Sequence, residues 1–254
     1  MNRRKFLSVS ALGTAAGFYA TQAPLAAASY CKLPALAWYL PEYLETAPNN
    51  RPLYVRDTDS ALGRYNETQN TKTISLADVV KYHGHMCDGL VYSYMQIYVG
   101  LRKLFPDGVV DRTDLAGACK NSPCMVDALS YMTGAKINFK TLKIDGSLGA
   151  SHILHRISTN ETYKVLLAKG VFPEELAKLE KNIRSKIAAN EVIPPADIDE
   201  VEEIADEFIE RLLTEPLEKL VSAEKLANYA FAPNATVDAF GKRGDIVNKN
   251  ILRK

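Results

Sequence analysis

His83, His85 and Cys87 stand at alternate positions of one five-residue run, His83-Gly84-His85-Met86-Cys87, and a further thiol lies at Cys124. Imidazole and thiolate are the donors that a zinc-type transition ion takes, three or four at a time and usually from two separated segments. Gly84 permits a sharp reversal of the chain, so His83 at the end of one helix and Cys87 at the start of the next can converge. His85 lies in the turn between them, where it can join the donors or hydrogen-bond to one of them from behind. Cys124 is the natural partner from elsewhere. Ser122 is placed as an N-cap and Pro123 as a first helical residue, so this thiol falls in a first helical turn, where free amides and the helix dipole favour a thiolate. Cys87 is in the same situation on its own helix. Asp127 follows Cys124 at i+3, shares its face, and is the candidate catalytic group, either orienting a ligand or acting as a base on bound water.

The same residues allow blander readings. His83 can be a core histidine, and Cys87 and Cys124 can be inert thiols or a disulfide; Cys119 with Cys124, or Cys31 with Cys119, are further pairings open to an exported chain with four cysteines. His152 and His155 are weaker candidates, because positions i and i+3 of a strand face opposite sides and cannot both reach one ion. No Walker loop, dinucleotide fingerprint, nucleophile elbow or zincin helix occurs in the sequence, and the cysteine spacing fits neither a four-cysteine iron–sulfur cluster nor covalent haem attachment.

Several elements must position these groups. Ser75, with Asp78 three residues on, predicts the start of a helix that carries Leu76, Val79, Val80 and His83 on one face and stops at Gly84. A second helix runs from near Cys87 to about Phe105 with Cys87, Leu90, Val91, Tyr94, Ile97, Tyr98, Leu101 and Leu104 as its apolar stripe. A short strand at 114–118 precedes the helix that begins at Pro123 and ends before Gly134. Residues 140–144 read as a strand, and 151–157 with 161–167 as a hairpin turning at Thr159-Asn160. Two amphipathic helices follow, at 173–189 and 197–213, the second burying Val201, Ile204, Ala205, Phe208 and Leu212 while its eight acids from Asp197 to Glu210 form a solvated face. The fold expected is α+β, a single mixed helix and sheet domain with a helical C-terminal elaboration. Its span is 74–230, preceded by an irregular arm at 29–73 that Trp38, Tyr39, Tyr43 and Tyr54 pin to the surface, and followed by a loosely ordered tail at 231–254.

Residues 1–28 have the layout of a signal peptide: Arg3-Arg4-Lys5-Phe6-Leu7 leads an uncharged Ala-rich stretch ending in Ala26-Ala27-Ala28. Paired arginines before Phe and Leu resemble a twin-arginine signal, which points to folded export and a periplasmic location. The stretch is weakly hydrophobic for a membrane anchor, so no stable membrane span is expected after cleavage, and Tyr30 before Cys31 argues against lipid attachment. A net charge of +1, with 47% hydrophobic and 24% charged residues, describes an ordinary globular protein and suggests no nucleic-acid partner.

The run His83-Gly84-His85-Met86-Cys87-Asp88-Gly89 with a long helix behind it, then Cys124-Met125-Val126-Asp127-Ala128 with Gly134, resembles the formylmethanofuran dehydrogenase E-subunit family, as does Leu212-Leu213-Thr214-Glu215-Pro216-Leu217. The resemblance covers roughly residues 75–226. It implies an α+β fold, a homodimer, and a zinc-like ion held by His83, Cys87 and Cys124 with His85 and Asp127 close by. Two departures stand out: Asp88 replaces a proline common in the family, and no cysteine follows Cys124, so the zinc ribbon that many members carry at the C-terminus is missing. The family is named after an operon of methane-forming organisms, which does not imply that this chain handles formylmethanofuran. Three functions remain open on the sequence: a metal-dependent enzyme acting on a small molecule, a metal or metallocofactor carrier or accessory to an exported respiratory oxidoreductase, and a module in which the ion or a disulfide merely staples two helices.

Overall fold

In the computed structural model, which describes residues 39–56 and 71–234, Ser75 opens the first helix, α1 (Leu76–His83). Its side chain accepts from the Asp78 amide at 3.2 Å while the Asp78 carboxylate accepts from the Ser75 amide at 2.8 Å, so two of the helix's unpaired donors are satisfied reciprocally. Gly84 ends α1 at φ +105°, a left-handed conformation that glycine adopts without steric cost. Three residues later Cys87 caps the next helix, α2 (Asp88–Leu104). The signal segment 1–28, Cys31, Trp38 and tail residues 235–254 lie outside the described residues.

The apolar stripe expected of α2 is too narrow. Gly89 to Ile97 is buried without a break, and so are Gly100, Leu101 and Leu104, while Tyr98 is only half-buried. A helix covered on nearly every side is central rather than peripheral. It lies on a five-stranded sheet of order β5-β4-β6-β7-β8, built from β4 (Leu115–Cys119), β5 (Leu142–Ile144), β6 (Ser151–Arg156), β7 (Glu161–Leu167) and β8 (Val221–Lys225). All pairings in this sheet are antiparallel except β4 with β5. Gly100 marks where α2 comes closest, since a Cβ there would stand 2.4 Å from Leu154 and 3.0 Å from Val165. The hairpin β6–β7 turns at Asn160, as expected, with φ +55°.

α3 (Pro123–Thr133) follows β4 directly and ends at Gly134 with φ +73°. Ser122 holds the N-cap position but its hydroxyl makes no cap hydrogen bond. The chain then runs through α4 (Glu174–Ala188), α5 (Pro195–Thr214) and the single turn α6 (Leu217–Leu220) into the edge strand β8. Of the face expected of α5, Val201, Phe208 and Leu212 are buried and Ile204 and Ala205 half-buried.

The described residues before α1 are more regular than the arm expected. It contains β1 (Leu53–Arg56) and β2 (Lys72–Ile74), which form a second sheet of order β2-β1-β3 with β3 (Val109–Asp111), β1 and β3 being parallel. Leu53 and Val55 are part of the core. Tyr39 and Tyr43 do pack against the core, but Tyr54 points outward and is 52% exposed. Asn49 anchors the segment, donating its amide to the carbonyls of Leu212 at 2.8 Å and Glu215 at 2.6 Å. Tyr94 ties α2 to the same layer through its hydroxyl, which donates to the Arg51 carbonyl at 2.7 Å.

Asp114, beside β4, accepts from Arg156 Nε at 2.9 Å and from the amide and hydroxyl of Ser158 at 2.7 and 2.5 Å. Burial pushes its carboxyl up, but the Ser158 and Arg156 bonds outweigh this and hold it below the usual carboxylate range. A depressed folded-state pKa stabilises the protein above the unfolded value and loses that effect as pH falls through the folded value. Asp114→Asn should therefore lower stability by about 1–2 kcal/mol at neutral pH. The gap in urea midpoint from wild type should close below about pH 4, the ordinary carboxylate range; a gap that stays constant down to pH 2 would contradict this account.

Candidate metal centre

The ends of three helices meet at one point. His83 is the last residue of α1, Cys87 is the N-cap of α2, and Cys124 sits in the first turn of α3. Cys87 Sγ lies 3.4 Å from Cys124 Sγ and 4.0 Å from His83 Nε2. A tetrahedral zinc-type ion, at about 2.3 Å from sulfur and 2.0–2.1 Å from nitrogen, separates its donors by roughly 3.5–3.8 Å. The observed distances bracket that range, so the residues present fit such an ion. The donor atoms of His83, His85 and Cys87 all lie within 4.8 Å of one another, with His85 exposed on the turn and its ring 4.7 Å from that of His83.

Asp127 fixes the imidazole from behind. Its carboxylate accepts from His83 Nδ1 at 2.7 Å, which assigns the proton to that nitrogen and leaves Nε2 directed at the sulfurs. The sequence left two roles open for Asp127, and this geometry is that of the orienting role.

The cluster is a network of shared protons. A hydrogen bond with Cys124 raises the His83 pKa, desolvation opposes it, and Asp127 adds to it, for a value of about 9. The Cys87 thiol, donating to Cys124, holds the Cys124 thiol well below its ordinary range against the effect of burial, and His83 contributes in the same sense. Cys87 is pushed up by that same bond and by burial. Within this network His83 and Cys87 hold the protons and the negative charge gathers on the Cys124 sulfur. Asp88 adds a carboxylate next to the cluster; burial, and then the charge of Glu180 on α4, raise it to about 7.

The two later histidines diverge, as strand alternation requires. His152 turns towards α2, its Nδ1 2.8 Å from Gln96 Oε1, whereas His155 points to the other side, 2.8 Å from Thr162 Oγ1 and stacked on Phe231. Neither is among the clustered donors. Cys119 is buried in β4 and, like Cys87 and Cys124, is a free thiol; burial pushes its pKa up to about 12.

Sequence reasoning missed Gly89. A Cβ at this position would stand 3.2 Å from Cys124 Sγ and 3.3 Å from Cys124 Cβ, so the lack of a side chain lets the first turn of α2 close on the thiol. The only signal was a glycine two residues after the motif cysteine. Gly89→Ala should displace the sulfur by a few tenths of an ångström and weaken ion binding on the order of tenfold, with little loss of stability. Competition against a chromophoric chelator reads this directly, and unchanged affinity would show that the contact does not set the sulfur's position.

An α+β domain with a histidine and two cysteines gathered at three helix ends defines the class of protein. The chain belongs to the FmdE family, described as "FmdE, Molybdenum formylmethanofuran dehydrogenase operon", whose model matches residues 82–222, more than half of the sequence. Among solved structures, a tungsten formylmethanofuran dehydrogenase FmdE-like protein from Syntrophus aciditrophicus is similar at 15% identity and a TM-score of 0.37, over 67% of this chain and 78% of that one. No curated protein matches the chain. Among the described residues no helix is long and apolar enough to cross a membrane.

Proposed function

We propose that this FmdE-family protein binds a transition-metal ion of the zinc type through His83, Cys87 and Cys124, with His85 at the edge of the site, and acts in the periplasm after export by the twin-arginine route. The observation that carries the reading is the Asp127–His83 pair, which holds His83 Nε2 4.0 Å from Cys87 Sγ, one of two sulfurs 3.4 Å apart. A carboxylate behind a histidine is the usual partner of a metal-ligating imidazole, since it sets the tautomer and raises the basicity of the ligating nitrogen.

A zinc-type ion held there supplies Lewis acidity to a small molecule entering beside it. The chain's own residues do the rest: Asp127 holds the Nδ1 proton, Cys87 and Cys124 give negative charge, and His85 is exposed to solvent. This supports a metal-dependent enzyme acting on a small molecule. The exposure of His85 favours a second reading, a metal or metallocofactor carrier or accessory to an exported respiratory oxidoreductase, because an ion reached from the surface can be handed on. The active form is proposed to be a homodimer.

Elemental analysis of the anaerobically purified protein tests the shared core of both readings. About one ion per chain is expected; a chain that takes up no added ion with Cys87 and Cys124 both reduced would overturn the metal site. Turnover of small substrates by the loaded protein then separates enzyme from carrier, and light scattering in solution tests the dimer.

A further inference from the structure

Cys87 and Cys124 are both half-buried free thiols, while Cys119 is fully enclosed. Their sulfurs are 3.4 Å apart. A disulfide needs about 2.05 Å, so side-chain rotation that closes roughly 1.4 Å would join them. Both cysteines sit at helix starts, and the absence of a side chain at Gly89 lets these two helix starts approach closely.

We infer that Cys87 and Cys124 are also a redox modification site, a dithiol that closes to a disulfide and by doing so gives up the ion. The inference rests on the metal reading for its second half only. A disulfide sulfur is a poor donor, so closure leaves His83 and His85, fewer than the three protein ligands of a zinc site. The oxidant is a disulfide, either a small one or that of a thiol-oxidising protein, and disulfide-forming conditions prevail in the oxidising compartments that exported proteins enter.

The exchange proceeds in two steps. The sulfur of Cys124 attacks one sulfur of the oxidant, whose S–S bond breaks and whose other half leaves as a thiol after taking a proton. The sulfur of Cys87 then attacks that of Cys124, forming the intramolecular bond and expelling the second half as a thiol. Two electrons pass from the cysteine pair to the oxidant, two protons are consumed from water, and the divalent ion is released. Among the described residues Cys87 is the thiol placed to resolve the mixed disulfide.

The test is a titration of the metal-loaded, purified protein with oxidised glutathione. It is followed by thiol counting, by mass spectrometry of proteolytic peptides and by a chromophoric chelator for released ion. The expected result is loss of two thiols, one cross-linked peptide pair containing Cys87 and Cys124, ion release in step with that cross-link, and reversal by dithiothreitol with added zinc. A Cys119→Ser variant should give the same result. Cys87 and Cys124 still alkylatable after oxidation, a cross-link to Cys31 or Cys119 instead, or full ion retention after the pair has closed would each overturn the proposal. A preparation that never holds an ion would count against the metal reading, and in it the cross-link alone decides whether the pair closes.

Discussion

Serine in place of Cys124 or Cys87 is expected to lower ion affinity by a factor of a hundred or more without unfolding the chain. Zinc-type sites of four ligands hold their ion with about 10–16 kcal/mol, so one ligand accounts for roughly 3–4 kcal/mol. That corresponds to about a hundred- to a thousandfold in dissociation constant. The fold should survive because serine is close in size to cysteine and both positions are half-buried at helix starts, away from the sheet. Asp127→Asn sets the scale from the other side. The amide oxygen can still accept from His83 Nδ1, but the charge that strengthens Nε2 is gone, so a ten- to hundredfold loss is expected, about 1.4–2.7 kcal/mol. The order Cys124→Ser worse than Asp127→Asn, measured by chelator competition at neutral pH, is the result to look for. An Asp127→Asn variant that lost the ion as completely as the cysteine variants would make the carboxylate itself a ligand.

Phe208→Ala should cost about 3–5 kcal/mol of stability, the range for emptying an aromatic site in a core. Phe208 is 1% exposed, packs edge-on to Phe172 with ring centroids 5.3 Å apart, and fastens α5 to the core beneath α2. Domains of this size are held by about 5–15 kcal/mol in total, so the loss would be a large share of the whole. Urea unfolding with an unchanged slope and a lowered midpoint would place α5 within the cooperative unit. A loss below about 1 kcal/mol, or a transition split in two, would mean that the C-terminal helices unfold on their own.

Punctuation made the helices legible. Ser75 with Asp78, Gly84, Pro123 and Gly134 are local signals whose physics needs no knowledge of the rest of the molecule, and the ends of α1 and α3 at the cluster each carry one. This is why His83, Cys87 and Cys124 could be brought together on paper, and why Asp127 at i+3 could be set beside them. Strand alternation likewise separated His152 from His155. The strands before α1 were hidden because their support is distant: Tyr54 pairs with Thr73 on one side and, across all of α1 and α2, with Val109 on the other, and these pairings make a strand of Leu53–Arg56 in a stretch rich in proline and asparagine. The stripe of α2 was drawn too narrow for a similar reason, since burial of its remaining faces comes from α3, α5 and the sheet. The contact of Gly89 with Cys124 depends on how two helices cross, which no local pattern encodes.

His155 stacks on Phe231, and three residues later Asn234 reaches the rim of the sheet, its side-chain carbonyl accepting from the Ile144 amide at 2.7 Å and its side-chain amide donating to the Ile144 carbonyl at 3.0 Å. One carboxamide thus imitates the peptide group that a sixth strand would offer beside β5. An exposed strand border invites another polypeptide to add to it, and the main-chain groups of Ile144 are already occupied there. At the opposite border, β8 presents Ser222, Glu224 and Lys225 to water, and their polarity makes an apolar strand from another molecule a poor match. For a chain kept in crowded company, the sheet has one border plugged by a side chain and the other guarded by charge.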